Sequence, residues 1–322
     1  MADILVSYVV TVYNKAPYVG FTAQSLIQQE GGITCEYIFV DDVSTDRSLQ
    51  VIEEHTRGIA NVTIIRNPTN AGPSIRFNQG ALLARGKYLQ FMDSDDILAA
   101  NATSLMLALA EKHQAEFVHG FWSRTEIESA KLVGQRAQEN GRVTVSYKPF
   151  ELVFKERFRR MSQLMRRETY MAAGGCDERV FVPDESLPLR MARVSKCFVH
   201  VDTPVLLIPK VEGELSENTA QLNHDRFMAN YNLITDFPDL EETARRLCYQ
   251  RCISATWKEI RDRQGLTRAV WLPAFRAYLG SGFGLQSVDL RKLDAMRKHF
   301  DAITGVRRPP MLSGSASATA LA

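Results

Sequence analysis

Three carboxylates follow an apolar run in the segment YLQFMDSDD, at Asp93, Asp95 and Asp96. The run before them is typical of a buried strand, so the carboxylates are expected at the point where that strand ends. Like charges this close together repel one another, and removing them from water is costly unless a positive charge lies among them. The spacing leaves two interpretations: the aspartates stand in open water, or they bind a cation.

The chain around these aspartates predicts the elements that position them. Apolar runs alternate with capped amphipathic segments, which is the pattern of a βαβαβαβα chain. The strands are rich in Val, Ile and Phe with few polar interruptions, as in a parallel sheet covered by helices on both faces. The predicted strands are 4–13, 35–42, 61–67 and 87–93, with a fifth at 115–122, and the predicted helices are 17–30, 44–57, 73–86 and 101–114.

Polar residues follow two further strands of this predicted sheet. The first strand ends at Thr11, Tyr13 and Asn14, and the second at Asp41 and Asp42. Open parallel sheets bind ligands at the carboxyl ends of their strands, so these groups should converge with the aspartate cluster. Such a set suits a hard divalent cation, which takes oxygen ligands and shares them with phosphates. Asp41 is expected to stabilise a turn, and Tyr13 either packs in the core or stacks on a base.

Composition narrows the class of protein. The chain has 322 residues and a net charge of +2, so charge gives no reason to expect a nucleic-acid partner. The five cysteines include no CxxC pair, which argues against a zinc site or a disulfide framework and fits a reducing compartment. The N-terminal apolar run lacks a basic n-region and is too short to span a bilayer. We expect a cytoplasmic protein.

The second half of the chain is less regular. Residues 124–145 predict a hairpin or a mobile polar excursion, whereas 240–263 and 287–303 predict helices. Cys248 and Cys252 lie one helical turn apart and are expected to pack in the core. The predicted organisation is an α/β domain over 1–210, a helical region over 211–306 and a disordered tail over 307–322.

Four segments together resemble the family 2 glycosyltransferases with the GT-A fold. They are VVTVYNKAPYV, IFVDDVSTDRS, NAGPSIRFNQGALLARGKYLQFMDSDD and GGCDERVFVPDESLPLRMA, which cover roughly residues 4–195. The resemblance implies a Rossmann-like, mostly parallel sheet flanked by helices, with a helical C-terminal extension. It also implies inverting transfer of a sugar from a nucleotide-sugar donor, usually UDP-linked, to an acceptor hydroxyl in the synthesis of surface polysaccharides or glycoconjugates.

The resemblance also assigns donor-binding residues. Thr11 and Tyr13 would line the base pocket, and Asp42 would contact the base. Asp93, the first aspartate of the DxD motif, would lie toward the ribose. Where the family often has Arg-Asn in its third motif, this chain has Phe77 followed by Asn, and Arg76 one residue earlier is taken as a donor contact.

A bound Mn²⁺ or Mg²⁺, which the resemblance implies, would explain how the aspartates tolerate one another. Asp95 would bind the metal that bridges the donor diphosphate, and Asp96 would support it. His224, in the polar segment SENTAQLNHDRF, is either a further metal ligand or a packed side chain.

The resemblance implies a catalytic base as well. Alignment on the Leu-Pro-Leu-Arg segment at 187–190 selects Asp184 over its neighbour Glu185, with Pro183 where the family commonly has Glu. We expect Asp184 at the start of a short helix, where a carboxylate is stabilised in its ionised form. Pro188 should disturb that helix unless it falls in the first turn.

Alternatives stay open at this point. One is a nucleotidyltransferase that makes nucleotide sugars, although the chain lacks a basic glycine-rich loop near its start. Another is a donor-binding module without catalysis, which the departures at Pro183 and Phe77 motivate. The cations in RRLCYQR, RKLDAMRK and GVRRPP form either a solvated face or a surface that docks on an anionic membrane carrying lipid-linked acceptors. The sequence does not decide between glycan and lipid-linked acceptors or between a monomer and a homo-oligomer.

Overall fold

The centre of the molecule is a strand whose residues are all buried. The computed structural model describes residues 3–156, 158, 160–210, 218–266, 273–282 and 287–310. Strand β1 (Val6–Val12) lies between β2 (Cys35–Asp41) and β4 (Tyr88–Asp93), and β3 (Val62–Arg66) extends the sheet beyond β2. All these neighbours are parallel, so their carboxyl ends meet at one edge of the sheet.

The second half of the sheet is mixed. It contains β5 (Ile97–Leu98), β6 (Phe117–Thr125), β7 (Val143–Ser146), β8 (Gln163–Arg166) and β9 (Phe198–Pro209). The order is β3-β2-β1-β4-β8-β6-β9-β5, and β7 pairs with β9. Strand β8 is antiparallel to both β4 and β6, whereas β6 and β9 are parallel. The parallel character is therefore concentrated in the first half.

Helices cover both faces of the sheet. Side chains alternate along β1, so Tyr8 and Val10 enter one apolar cluster and Val9 enters the other. The first cluster includes residues of α1 (Val19–Ile27), α2 (Ser48–His55) and α4 (Ala102–His113). The second cluster includes residues of α3 (Pro73–Leu83), α6 (Pro149–Glu156), α7 (Arg167–Ala173), α8 (Pro183–Val194), α9 (Thr219–Asp236), α10 (Glu242–Gln264) and Leu290–Asp301, the last described helix. The remaining described helices are α5 (Ser129–Leu132) and α11 (Pro273–Gly282). The last described helix, Leu290–Asp301, is therefore α12.

Helix α3 approaches the sheet closely because of a glycine. A Cβ atom on Gly80 would lie 2.3 Å from Val9 Cγ1, far inside van der Waals contact. Only a residue without a side chain allows α3 to pack this near to β1. The close packing places the first turn of α3 beside the carboxyl ends of β1 and β2.

The α/β class with flanking helices is confirmed, as are the fifth strand and the helices predicted at 240–263 and 287–303. Residues 124–145 do not form a hairpin, because β7 pairs with β9 instead. Cys248 and Cys252 are both fully buried, as expected for packed side chains. None of the helices in the described ranges is long and apolar enough to cross a bilayer.

The C-terminal helices do not form a core of their own. Phe91 of the sheet shares one apolar cluster with Phe227 and Phe300, so the predicted regions 1–210 and 211–306 pack together. The predicted disordered tail, 307–322, falls only partly within the described residues, and its first two residues are held by the rest of the protein. Arg307 and Arg308 both form hydrogen bonds to earlier parts of the chain, whereas residues 311–322 lie outside the described residues.

Candidate functional site

A cleft of about 560 Å³ opens at the carboxyl ends of β1, β2 and β4. This volume is in the range of sites that bind small molecules and cofactors. The cleft is lined by every predicted site residue except His224, namely Thr11, Tyr13, Asp42, Arg76, Asp93, Asp95, Asp96 and Asp184.

The wall formed by β1 presents one buried and one exposed side chain. Thr11 is buried beside Asp93 of the neighbouring strand, with which it is in register. Tyr13 is 44% exposed and lines the cleft, so it is not a core residue. Its ring is accessible for stacking on a planar ligand.

The two aspartates that end β2 behave differently. Asp41 accepts hydrogen bonds from the backbone N–H groups of Val43 and Ser44, in agreement with its predicted role in the turn. Asp42 accepts the N–H of Ala71 at 2.8 Å and that of Gly72 at 2.9 Å, and it lines the cleft. Gly72 has a φ of +86° and lies under the ring of Phe181, where a Cβ would be 2.7 Å from the ring.

Arg76 is held by the protein itself. Its Nε donates to Asp42 Oδ1 at 2.7 Å, Nη1 donates to Gln79, and Nη2 donates to the Thr69 carbonyl. Asp42 therefore accepts three hydrogen bonds from the chain, and a carboxylate has about four acceptor positions. The geometry makes Arg76 a residue that positions Asp42 and leaves little of its guanidinium for a donor.

The residues after Arg76 have structural contacts. Phe77 is fully buried and stacks on Phe91, with ring centroids 4.5 Å apart. Asn78 donates to the carbonyl of Cys176 and accepts the Tyr170 hydroxyl. This third motif therefore joins α3 to the loop after α7.

The DxD aspartates lie among both like and unlike charges. Lys15 Nζ is 2.6 Å from Asp95 Oδ2. Burial, together with the nearby Asp95 and Asp184 carboxylates, raises the pKa of Asp93 to about 7, against the opposing effect of Arg160 and Lys15. The single lysine thus offsets only part of the negative charge in the cleft.

Asp96 is the most deeply buried member of the cluster. It is 3% exposed, and its Oδ2 has no hydrogen-bond partner in the described part of the chain. Burial, with repulsion from Asp95 and Asp93, raises its pKa well above the usual range. Its backbone carbonyl accepts the Thr22 hydroxyl, which ties the segment after β4 to α1.

These carboxylates fit a divalent cation only in part. An unsatisfied buried oxygen on Asp96 and mutual repulsion at Asp93 are both relieved by a bound positive ion. Within the described ranges, however, no group of three or more His, Cys, Asp or Glu side chains is arranged to hold a metal ion. The residues therefore supply a partial ligand set that oxygen atoms of a substrate would have to complete.

Asp184 lies in the first turn of α8, as predicted. The helix begins at Pro183, where the missing N–H costs nothing. The Asp184 carboxylate accepts the Arg160 backbone N–H at 2.8 Å. Pro188 lies beyond the first turn, yet α8 continues through it to Val194, and the proline only removes the N–H that would bond the Asp184 carbonyl.

Glu185 also lines the cleft but is bound on both oxygens. Arg226 of α9 donates to it through Nη2 at 2.5 Å and Nε at 3.2 Å. This bidentate ion pair is mostly shielded from solvent. Of the two adjacent carboxylates, Asp184 is the one with less of its oxygen surface engaged.

His224 is not brought to the cluster. Its Nδ1 is 2.7 Å from Asp225 Oδ1, and its ring lies edge-on to Phe300. Asp225 in turn accepts the N–H of Val182, the residue before α8. His224 therefore packs behind the cleft, which favours the packed alternative over the metal ligand.

Several cleft residues were missed by the sequence reasoning. Trp122 ends the predicted fifth strand, and Arg160 lies over its ring with Cζ 5.6 Å from the centroid. Lys15 belongs to the first motif and could have been flagged as a cation beside acidic strand ends. Arg226 carries no local sequence signal. Arg307 belongs to the cationic segment GVRRPP, but nothing near it in the sequence predicts that it lines the cleft.

Comparisons with known proteins identify the family of this chain. The sequence profile of the family Glycosyl transferase family 2 matches residues 7–175. An uncharacterised glycosyltransferase of Haemophilus influenzae is 30% identical over 128 residues, which are 40% of this chain and 51% of that protein. A poly(ribitol-phosphate) beta-glucosyltransferase of Bacillus spizizenii is 31% identical over 117 residues, 36% of this chain and 18% of that protein. The matched stretch thus spans about half or less of these curated relatives.

Solved structures show the same fold. TarS 1–349 of S. aureus, in complex with UDP-GlcNAc, aligns over 91% of this chain and 84% of its own, with a TM-score of 0.64 and 20% identity. A mannosyltransferase of Pyrobaculum calidifontis, in complex with GDP-Man and Mn²⁺, aligns over 94% of this chain and 86% of its own, with a TM-score of 0.56 and 14% identity. Because the profile spans more than half of the sequence, the chain belongs to glycosyltransferase family 2.

Proposed function

We propose that the protein transfers a sugar from a UDP-linked donor to an acceptor hydroxyl, with inversion at the anomeric carbon and with Mn²⁺ or Mg²⁺ as cofactor. The observation that carries this proposal is the convergence of Tyr13, Asp42, Asp93, Asp95 and Asp184 on one cleft. An aromatic ring, a partial set of metal ligands and a candidate base are the groups that this reaction needs.

The donor would bind along the ends of β1, β2 and β4. Tyr13 offers an exposed ring for the base, and Thr11 lies at the adjoining strand end. Asp42 has about one acceptor position left for a ring N–H of the base. The fold neighbours were solved with UDP-GlcNAc and with GDP-Man, and we favour uridine because TarS has the higher similarity in fold.

Asp95, with Asp93 and Asp96 beside it, would hold the metal. When bound, it would offset the charge that develops on the departing diphosphate. Lys15 contacts Asp95 and would compete with the metal for that carboxylate.

Asp184 would act as the general base. As the acceptor oxygen attacks the anomeric carbon, its proton passes to the Asp184 carboxylate and the bond from the sugar to the diphosphate breaks. The Arg160 N–H fixes one carboxylate oxygen and so orients the side chain at the start of α8. The ion pair of Glu185 with Arg226 holds the neighbouring side chain out of this role.

The acceptor would be a hydroxyl of a surface glycan, a lipid-linked glycan or a polyol phosphate. Curated relatives include a poly(ribitol-phosphate) beta-glucosyltransferase and a poly(ribitol-phosphate) beta-N-acetylglucosaminyltransferase, and a polyol phosphate is the class of acceptor that we favour. A polymer or lipid-linked acceptor would bring the protein to the inner face of the membrane. The nucleotidyltransferase alternative loses its support, because family 2 consists of sugar transferases.

A thermal-shift panel tests the proposal. UDP, GDP, UDP-GlcNAc, UDP-glucose and GDP-mannose are each added with Mn²⁺ and with EDTA, since ligands that bind the native state stabilise it. We expect UDP and one UDP-sugar to raise the melting temperature, and to do so only with metal. Asp95→Ala should abolish the shift, whereas Asp202→Ala, which replaces an exposed carboxylate on β9, should retain it. No shift with any nucleotide would contradict the proposed donor.

A further inference from the structure

We propose that Arg307 binds a phosphate group of a substrate at the cleft, an inference that rests on the proposed glycosyl transfer. Arg307 follows the last described helix and lies far beyond the part of the chain that the family profile matches. It nevertheless lines the same cleft as Asp95 and Asp184. A residue outside the family region thus contributes a positive charge to the site.

The other cations of the cleft are already engaged by protein groups. Lys15 pairs with Asp95, Arg76 with Asp42, and Arg226 with Glu185. Arg160 lies over Trp122 and is further engaged within the protein. Arg307 differs from them, because in the described ranges no carboxylate lies within ion-pair distance of its guanidinium.

Within the described residues, the guanidinium of Arg307 is oriented by a contact that leaves its N–H donors unengaged. Its Cζ is 5.7 Å from the centroid of the Phe181 ring, a cation–π contact that uses the face of the group. The N–H donors lie at the edge of the guanidinium plane, where they match the oxygens of a phosphate. Phe181 itself is buried and packs on Gly72, at the start of α3.

The backbone of Arg307 is fixed by a buried amide. Gln221 Oε1 accepts the Arg307 N–H at 2.6 Å, and Gln221 Nε2 donates to the Arg307 carbonyl at 3.0 Å. The same Nε2 donates to Asp225, whose carboxylate also accepts the Val182 N–H at 2.8 Å. Gln221 and Asp225 are fully buried. This network places Arg307 at a set position relative to the helix that carries Asp184.

Arg308 provides a matched control. It has the same charge and is also exposed, but its Nη2 donates to the carbonyls of Phe300, Asp301 and Ile303 at the end of α12. It does not line the cleft. Replacing either arginine by glutamine removes one positive charge, so a difference between the two variants isolates the effect of position from that of net charge.

Two substrates could supply the phosphate. One is the donor, whose diphosphate would lie near Asp95, and the other is an acceptor that carries phosphate groups. Both offer oxygens that accept charge-assisted hydrogen bonds from a guanidinium. Binding measurements with separate donor and acceptor probes distinguish the two sources.

The test is calorimetric titration of wild-type protein, Arg307→Gln, Arg307→Lys and Arg308→Gln with UDP, uridine, ribitol 5-phosphate and ribitol, all in Mn²⁺. We expect Arg307→Gln to lower the affinity for one phosphate-bearing probe by about tenfold or more, because hydrogen bonds to a charged group are lost. Uridine and ribitol should bind it as they bind wild-type protein. Loss confined to UDP identifies the donor, and loss confined to ribitol 5-phosphate identifies the acceptor. Arg307→Lys should recover part of the lost affinity, because a point charge remains.

The inference is overturned if wild-type protein binds UDP and Arg307→Gln binds each of the four probes as tightly as Arg308→Gln does. That outcome leaves the proposed function intact. If wild-type protein binds neither UDP nor ribitol 5-phosphate, the proposed function fails and this inference fails with it. Circular dichroism and the urea midpoint of each variant verify that the fold is retained, as expected for an exposed side chain.

Discussion

Replacing Asp184 by asparagine should remove catalysis while leaving the fold and donor binding in place. The amide oxygen of the introduced side chain can still accept the Arg160 N–H that Asp184 accepts at 2.8 Å. The change removes one negative charge at the start of α8, which costs about 0.3–1 kcal/mol of stability. It also removes a carboxylate that raises the pKa of Asp93, so part of that cost is offset. The free energy of unfolding should therefore change by about 1 kcal/mol or less.

The catalytic effect should be much larger. A positioned general base contributes about 10²–10⁴ to the rate, which corresponds to about 3–5 kcal/mol of barrier. The amide cannot take the acceptor proton, so kcat should fall by that factor. The dissociation constant of the donor should stay within about a few-fold, because a base in the proposed role acts on the acceptor and not on the donor.

Glu185→Gln is the matched control for this experiment. It changes the neighbouring carboxylate by the same chemistry but breaks the bidentate ion pair with Arg226. Loss of a hydrogen bond to a charged group costs about 1.5–3 kcal/mol, so this variant should be the less stable one. It should keep most of its turnover below its melting temperature. The assignment of the base would be refuted if Glu185→Gln were inactive and Asp184→Asn active, or if both variants kept full kcat.

Three further predictions concern the metal cluster, the base pocket and acid stability. Asp95→Ala should abolish the Mn²⁺ dependence of donor affinity. Lys15→Met should tighten Mn²⁺ binding, because the lysine competes with the metal for Asp95. Calorimetric Mn²⁺ titrations that show no change in either variant would contradict this. Tyr13→Ala should weaken UDP binding by about 1–3 kcal/mol if the exposed ring stacks on the base, whereas Tyr147→Ala, at a position 75% exposed and absent from the cleft lining, should bind UDP normally. Burial lowers the pKa of His200, so on acidification the unfolded chain binds the proton before the folded one does. The free energy of unfolding should therefore fall as the pH drops below about 6.5, the usual pKa of histidine. Urea midpoints between pH 7 and pH 5 should fall less in His200→Gln than in the wild type, and equal slopes would count against this assignment.

The strand ends could be predicted from the sequence because they follow from a local pattern. Continuous apolar runs that stop at Thr11, Asp42 and Asp93 predict where a parallel sheet presents its ligands, and these residues do line one cleft. The position of Asp184 in the first turn of a helix followed from Pro183 in the same way. Each of these inferences needs only residues within a few positions of one another.

The rest of the site depends on contacts between distant segments. The family resemblance predicts Arg76 as a donor contact, and nothing local reveals that Asp42, 34 positions away, engages its Nε. The pairing of Glu185 with Arg226 joins residues 41 positions apart, and it separates two carboxylates that look equivalent in the sequence. The small residues after Arg307 predict a disordered tail, whereas the buried Gln221 amide that fixes the Arg307 backbone has no sequence signature.

The hydrogen bonds around Gln221 also govern when the cleft is completed during folding. The bond from Val182 to Asp225 spans 43 positions, and the bonds between Gln221 and Arg307 span 86. Residues 305–310 are also the last described residues to be synthesised, so the bonds to Gln221 cannot form until the rest of the cleft has been made. A chain emerging from the ribosome would acquire the strand ends of the base pocket well before residues 305–310 dock beside α8. We expect such an intermediate to be able to hold a nucleotide before it can transfer a sugar, so nascent chains stalled before residue 305 should bind a nucleotide without transferring a sugar.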